Sequence, residues 1–181
     1  DFNDIMKALK LHSINLKYIV LTHGHFDHIG AVVQLKNATN AKIYLHRLDV
    51  ELTKNPSLSL SIFAGDYSEF EAFSPDVILE DEYRFSLDEL IFHTIHTPGH
   101  TKGSCVFTLE DIMFSGDTLF NGSVGRTDLY GGNQTDMFSS AKKLAQIRKD
   151  FTVLPGHGEK TKLSIQRNTN PYMGTNYDNI F

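Results

Sequence analysis

Residues 22–30 read Thr-His-Gly-His-Phe-Asp-His-Ile-Gly and follow directly on an apolar run, Tyr18-Ile19-Val20-Leu21. His23, His25, Asp27 and His28 thus bring three imidazoles and a carboxylate together within a short stretch, a donor set suited to Zn²⁺, Fe or Mn. Flanking Gly24, His23 and His25 converge more closely from a loop than from a regular strand or helix. A polar loop that is merely rich in histidine is the plain alternative, and the rest of the chain weighs against it.

Three later segments place a ligand-type residue just past an apolar run. Ile91 to Thr97 ends in Pro98-Gly99-His100, Ile112 to Ser115 in Gly116-Asp117, and Phe151 to Leu154 in Pro155-Gly156-His157. The glycine before each ligand lets the chain turn sharply, and ligands rooted at strand ends are held by the sheet. Around these points the spacing predicts a helix capped by Asn3 or Asp4 and running to His12 or Ser13, then a strand over Lys17 to Leu21. A helix over Ile29 to Asn37, a strand over Lys42 to Leu45 and a helix over Arg47 to Thr53 complete a β-α-β-α rhythm. Asn55 to Ser74, with Pro56 and Gly65, reads as a long surface excursion. Strands follow over Val77 to Leu79, Leu90 to Thr97, Ser104 to Leu109 and Ile112 to Phe114, the last two joined by a turn at Glu110-Asp111. Gln134 to Lys149 has helical periodicity, Phe151 to Leu154 is a strand, and Thr161 to Asn168 a last short helix before Pro171.

The chain has 181 residues, which predicts one domain over 1–181. Lys and Arg total 17 against 22 Asp and Glu, a formal charge of −5, so no basic footprint for nucleic acid or an anionic membrane is present. No apolar stretch reaches membrane-spanning length. A small-molecule partner is the expectation. The single cysteine, Cys105, excludes an intrachain disulfide and a site built on several cysteines, and fits a reducing, cytoplasmic compartment. The chain opens Asp1-Phe2-Asn3-Asp4 with no initiator Met and no leader, which reads as a trimmed start.

His23, His25, Asp27, His28, His100, Asp117 and His157 are too many ligands for one tetrahedral ion, which needs three and a water, and suit two ions with a shared carboxylate. Two cations close together activate a hydroxide at neutral pH and polarise a carbonyl oxygen, which is hydrolytic chemistry. The order His-Gly-His-Phe-Asp-His, then His100, Asp117 and His157, resembles the metallo-β-lactamase superfamily. That resemblance implies an α+β, four-layer αβ/βα sandwich whose N-terminal strands are missing from this chain. It implies a first metal on His23, His25 and His100, a second on Asp27, His28 and His157, and Asp117 as the bridge. Zinc is the first choice, with iron or manganese as alternatives.

The flanking words Thr97 to Ser104, Phe114 to Phe120, Gly125-Arg126-Thr127-Asp128 and Leu154 to Gly158 are similar to those of short hydroxyacylglutathione hydrolases, the glyoxalase II type. The helical C-terminal domain of full-length members is not in the chain. The resemblance implies attack of a metal-bridging hydroxide on a thioester such as S-lactoylglutathione, with Asp27 and Asp117 as ligands that orient the nucleophile. A thiolate leaves with a pKa near about 8.5 and needs no general acid, so a metal pair suffices. Arg126 is expected to grip a carboxylate of the thiol, as a basic residue at that position does in related glyoxalases, with a surface pairing to Asp128 as its other reading. Lys102 is the second substrate-binding candidate, beside a reading as a solvated surface lysine; Tyr67 and Tyr130 are packing residues near the pocket. His93 and His96 are structural, His12 and His46 surface residues, and Cys105 a small buried hydrophobe.

The nearest rival is a mononuclear-iron persulfide dioxygenase, against which an intact Pro155-Gly156-His157-Gly158 argues. A flavodiiron protein would want a carboxylate at His25, and a nuclease a larger insertion between Asp117 and His157. A lactonase, and outside enzymes an inactive metal-binding interaction module, stay open.

Overall fold

The computed structural model describes residues 1–63 and 70–174; Tyr67 lies outside the described residues. The chain divides into two compact units, Asp1–Leu79 and Glu80–Phe181. Among the described residues no helix is long and apolar enough to cross a membrane.

The first unit is built on a parallel sheet of β1 (Tyr18–Val20), β2 (Lys42–His46) and β3 (Val77–Leu79), in that order. β2 is the middle strand and is buried from Ile43 to His46, the continuous pattern of a parallel strand covered on both faces. Helix α1 (Phe2–Leu11) is capped by Asp1, whose side chain accepts from the Asn3 N–H at 2.7 Å, rather than by Asn3 or Asp4. Two helices, α2 (Phe26–Ile29) and α3 (Val32–Thr39), stand where one was expected from Ile29, so Asp27 and His28 belong to a helical turn and not to the loop. The helix expected over Arg47 to Thr53 is two 3₁₀ turns, Arg47–Asp49 and Leu52–Lys54. Leu21, Ile29, Val32, Ile43 and Leu45 form the core, with Ile19, Phe70 and Phe73 packed on it.

The second unit is a six-stranded sheet in sequence order: β4 (Arg84–Leu87), β5 (Leu90–His96), β6 (Cys105–Leu109), β7 (Ile112–Gly116), β8 (Thr152–Pro155) and β9 (Thr161–Lys162). β4 was not anticipated: it sits in a charged stretch, and only Phe85 and Leu87 alternate inward along this edge strand. β5 pairs antiparallel with β6 and β6 antiparallel with β7, while β7 and β8 are parallel. Hence β5, β7 and β8 all run one way, and their C-terminal ends share an edge. Helix α4 (Gln134–Ala145), capped by the Asn133 side chain, and α5 (Leu163–Thr169) cover the sheet. Val106, Met113, Leu119, Ala141, Leu144, Phe151, Val153, Leu163 and Met173 close the core.

A buried polar group fastens α5 to the loop after β7. The Gln166 amide, fully buried, donates to Asn121 Oδ1 at 3.0 Å and Thr161 Oγ1 at 2.9 Å, and its oxygen accepts from Gly122 N at 2.8 Å and Asn170 Nδ2 at 3.0 Å. Both donors and both acceptor sites of the amide are thereby used. Replacing Gln166→Leu keeps the volume and orphans its buried partners, so the unfolding free energy in urea, followed by circular dichroism, should fall by about 3 kcal/mol. No change would mean that these partners find water instead.

Candidate metal centre

In the first unit the ligand run leaves the end of β1. His23 and His25 are buried, their ring centroids 4.9 Å apart, and the His28 ring lies 4.1 Å from that of His23. Gly24 between them is required by close approach: a Cβ there would sit 2.8 Å from the Cβ of Leu52. Phe26 N donates to Ser59 O at 2.8 Å, which turns the chain into α2 and carries Asp27 and His28 on its first turn, with His28 Nε2 3.5 Å from Asp27 Oδ2.

A residue absent from the sequence reading braces this run. Asp49 is completely buried, and its Oδ2 accepts from the Gly24 N–H at 2.9 Å. β1 and β2 are parallel neighbours, so the turn that follows β2 reaches the loop that follows β1. A carboxylate pays a large desolvation penalty unless it is hydrogen-bonded, and here it holds the main chain between two imidazoles. The only sequence signal was an acidic residue just after a strand end. His46, expected at the surface, is also buried, with its Nδ1 3.5 Å from Leu48 N at the start of the same turn.

In the second unit the shared strand edge carries His100, Asp117 and His157. Gly156 N donates to Gly116 O at 2.9 Å, so the residues after β7 and β8 stand side by side. Asp117 Oδ2 lies 3.6 Å from His100 Nε2 and 3.5 Å from His157 Nε2. Asp117 and His100 are buried and His157 is half exposed. Of the glycines expected to turn the chain before each ligand, Gly99 and Gly116 adopt a positive φ; at the third site it is Gly158, after the histidine, that does so.

The donor set fits a metal ion. Two ligand atoms about 2.1 Å from a tetrahedral centre are about 3.4 Å apart. A carboxylate oxygen and an imidazole nitrogen lie 3.5 Å apart in the first unit, and 3.6 and 3.5 Å apart in the second, longer than a hydrogen bond and close to that edge. His100 Nδ1 is 2.8 Å from Arg126 O, and a carbonyl only accepts, so Nδ1 carries the proton and the lone pair sits on Nε2.

The two substrate-binding candidates are placed on the surface. The Arg126 guanidinium makes a bidentate pair with Asp128, Nε to Oδ1 at 2.7 Å and a terminal nitrogen to Oδ2 at 2.8 Å. Lys102 Nζ stands 5.1 Å from the centre of the Tyr130 ring, and His96 Nε2 donates to the Lys102 carbonyl at 2.8 Å. Cys105 is buried in β6 as expected.

A family model described as the Metallo-beta-lactamase superfamily matches residues 1–157. The chain is 34% identical over 167 residues to the hydroxyacylglutathione hydrolase GloC of Haemophilus influenzae, covering 90% of this chain and 78% of that one. Among solved structures it is similar to the BLEG-1 B3 metallo-beta-lactamase, with a TM-score of 0.87, 34% identity and coverage of 96% and 84% of the two chains. It is also similar to TTHA1623 in a di-iron-bound form, with a TM-score of 0.82, 33% identity and coverage of 96% and 85%. The α+β fold is that of these relatives.

Two outcomes follow from the bracing contacts. Asp49→Ala removes the acceptor held by Gly24 and should weaken Zn²⁺ binding by about 10-fold or more in competition with a chromophoric chelator. Asp49→Asn, which keeps an accepting oxygen, should lose less, and equal losses would show that the charge matters rather than the hydrogen bond. The Arg126 side chain, chiefly by hydrogen bonding, holds the Asp128 carboxyl down to about 2 from its ordinary 3.8. The pair's contribution is therefore complete above pH 3.8 and is lost as pH falls through about 2. A carboxyl NMR titration should place the midpoint there, and Arg126→Ala should return it to the ordinary value.

Proposed function

The chain belongs to the metallo-β-lactamase superfamily, and from that premise we propose that this metallo-hydrolase cleaves the thioester of a small thiol. The observation that carries the reading is Asp117, whose Oδ2 stands 3.6 and 3.5 Å from the Nε2 atoms of two imidazoles. A carboxylate so placed would be a shared ligand. The resemblance in motif order assigns His23, His25 and His100 to one divalent cation and Asp27, His28 and His157 to the other. When bound, the pair supplies a water that is nucleophilic at neutral pH and positive charge for the carbonyl oxygen.

The residues divide the remaining work. Asp27 and Asp117 accept hydrogen bonds from the attacking water and orient it. His100, with its Nδ1 proton committed to Arg126 O, presents Nε2 in one tautomer. No group is needed to protonate a departing thiolate, which suits a site of imidazoles and carboxylates. Lys102, on the segment after His100, offers its charge to a carboxylate of the thiol. Similarity to GloC supports the thioester over other acyl compounds. Zinc is the metal assigned first, since imidazole and carboxylate sites hold it more tightly than iron or manganese; similarity to a di-iron-bound protein supports iron as the alternative.

The test joins metal analysis to a substrate panel. About two equivalents of metal per folded chain and release of thiol from S-lactoylglutathione are expected, with the rate lowered at least about 100-fold in His25→Ala. One equivalent together with oxygen uptake on glutathione persulfide, and no thioester cleavage, would make the protein a dioxygenase. Cleavage of a β-lactam or lactone without the thioester would move it to another hydrolase class.

A further inference from the structure

Resting on the reading of His100 as a metal ligand, we propose that Arg126 and Asp128 are positioning residues for it, acting through the Arg126 main chain rather than by gripping substrate. Residues 125–133 form a segment pinned at both ends to backbone beside a ligand. At its start Gly125 packs so closely on Asp117 that a Cβ would lie 2.0 Å from the Asp117 carbonyl oxygen. At its end Asn133 N donates to Gly99 O at 2.9 Å, next to His100. Between these points Gly132 folds back on Thr127, where a Cβ would lie 2.4 Å from the Thr127 oxygen, and its N–H donates to Leu129 O at 2.9 Å. The Arg126 carbonyl, inside this closed segment, is the acceptor that sets the His100 tautomer at 2.8 Å.

The Arg126 and Asp128 side chains span the residue next to that carbonyl with two parallel hydrogen bonds of 2.7 and 2.8 Å. Both are well exposed, at 62% and 68%. An exposed pair contributes little to global stability, but bidentate geometry fixes the relative orientation of the two residues that carry it. Its effect is therefore local: it holds the carbonyl on the His100 ring. A guanidinium engaged through two hydrogen bonds would have to leave Asp128 before it met a substrate carboxylate through the same edge.

The experiment uses Zn²⁺ alone as the probe. Apo protein is titrated against a chromophoric chelator for the wild type, Arg126→Ala, Asp128→Ala, the double variant, and the swap in which Arg126→Asp is combined with Asp128→Arg. Each single variant should weaken Zn²⁺ binding roughly 10-fold, the scale of lost support around a ligand. The double variant should lose no more than either, the swap should recover most of the affinity, and the melting temperature should stay unchanged throughout. Unchanged Zn²⁺ affinity in both single variants overturns the proposal. So does a rise in KM for S-lactoylglutathione in Arg126→Ala that Asp128→Ala does not share, because the guanidinium then belongs to the substrate. If the wild type binds no Zn²⁺, the metal reading itself fails; if it binds and the variants bind equally, only this inference does.

Discussion

Strands that run in one direction finish on one edge, and the candidate metal ligands in each unit depend on that. β5, β7 and β8 share a direction, and the residues that follow them include His100, Asp117 and His157. In the first unit β1 and β2 are parallel, so the His23 to His28 run and the turn bearing Asp49 leave the same edge. Parallel sheets offer their loops at the carboxyl ends of the strands, where side chains are presented by a rigid frame. The six-stranded sheet reaches this arrangement with mixed pairing, since two antiparallel steps restore the original direction.

Main chain takes part in the hydrogen bonds that brace the segments carrying His23 and His25, His100, and Asp117. Gly24 is tied to Asp49, His100 to the Arg126 carbonyl, and Gly116 to Gly156. Behind the loop that follows Asp117, the Gln166 amide uses its full hydrogen-bonding capacity on the chain. Imidazole ligands need one nitrogen protonated and one with its lone pair, and a carbonyl acceptor settles that choice at His100. Such support also explains why glycines crowd the site: at Gly24 and Gly125 a side chain would collide with the neighbouring segment.

The strands were largely legible because buried strands advertise themselves by apolar runs ended by Gly or Pro. β4 escaped notice because an edge strand needs only two inward residues, Phe85 and Leu87, within a charged stretch. Helix ends moved as well. Phe26 N found Ser59 O, a long-range partner that started α2 ahead of the apolar spacing. His46 looks polar in sequence and is buried, because β2 is the central strand of its sheet.

What the sequence by itself determined is the donor chemistry: which side chains carry imidazole or carboxylate, and that each follows a strand end. That information is local, since residue type and a neighbouring apolar run suffice to read it. Only the tertiary structure decided which groups brace those donors. Asp49 is 25 residues from Gly24, and the Arg126 carbonyl 26 from His100. Hydrogen bonds over such separations depend on which strand ends share an edge and on the path of a loop, and neither leaves a periodic trace in the chain. The same reason assigns Arg126 to Asp128: a basic residue beside a ligand motif has one appearance in sequence, whether its guanidinium faces a substrate or a neighbouring carboxylate.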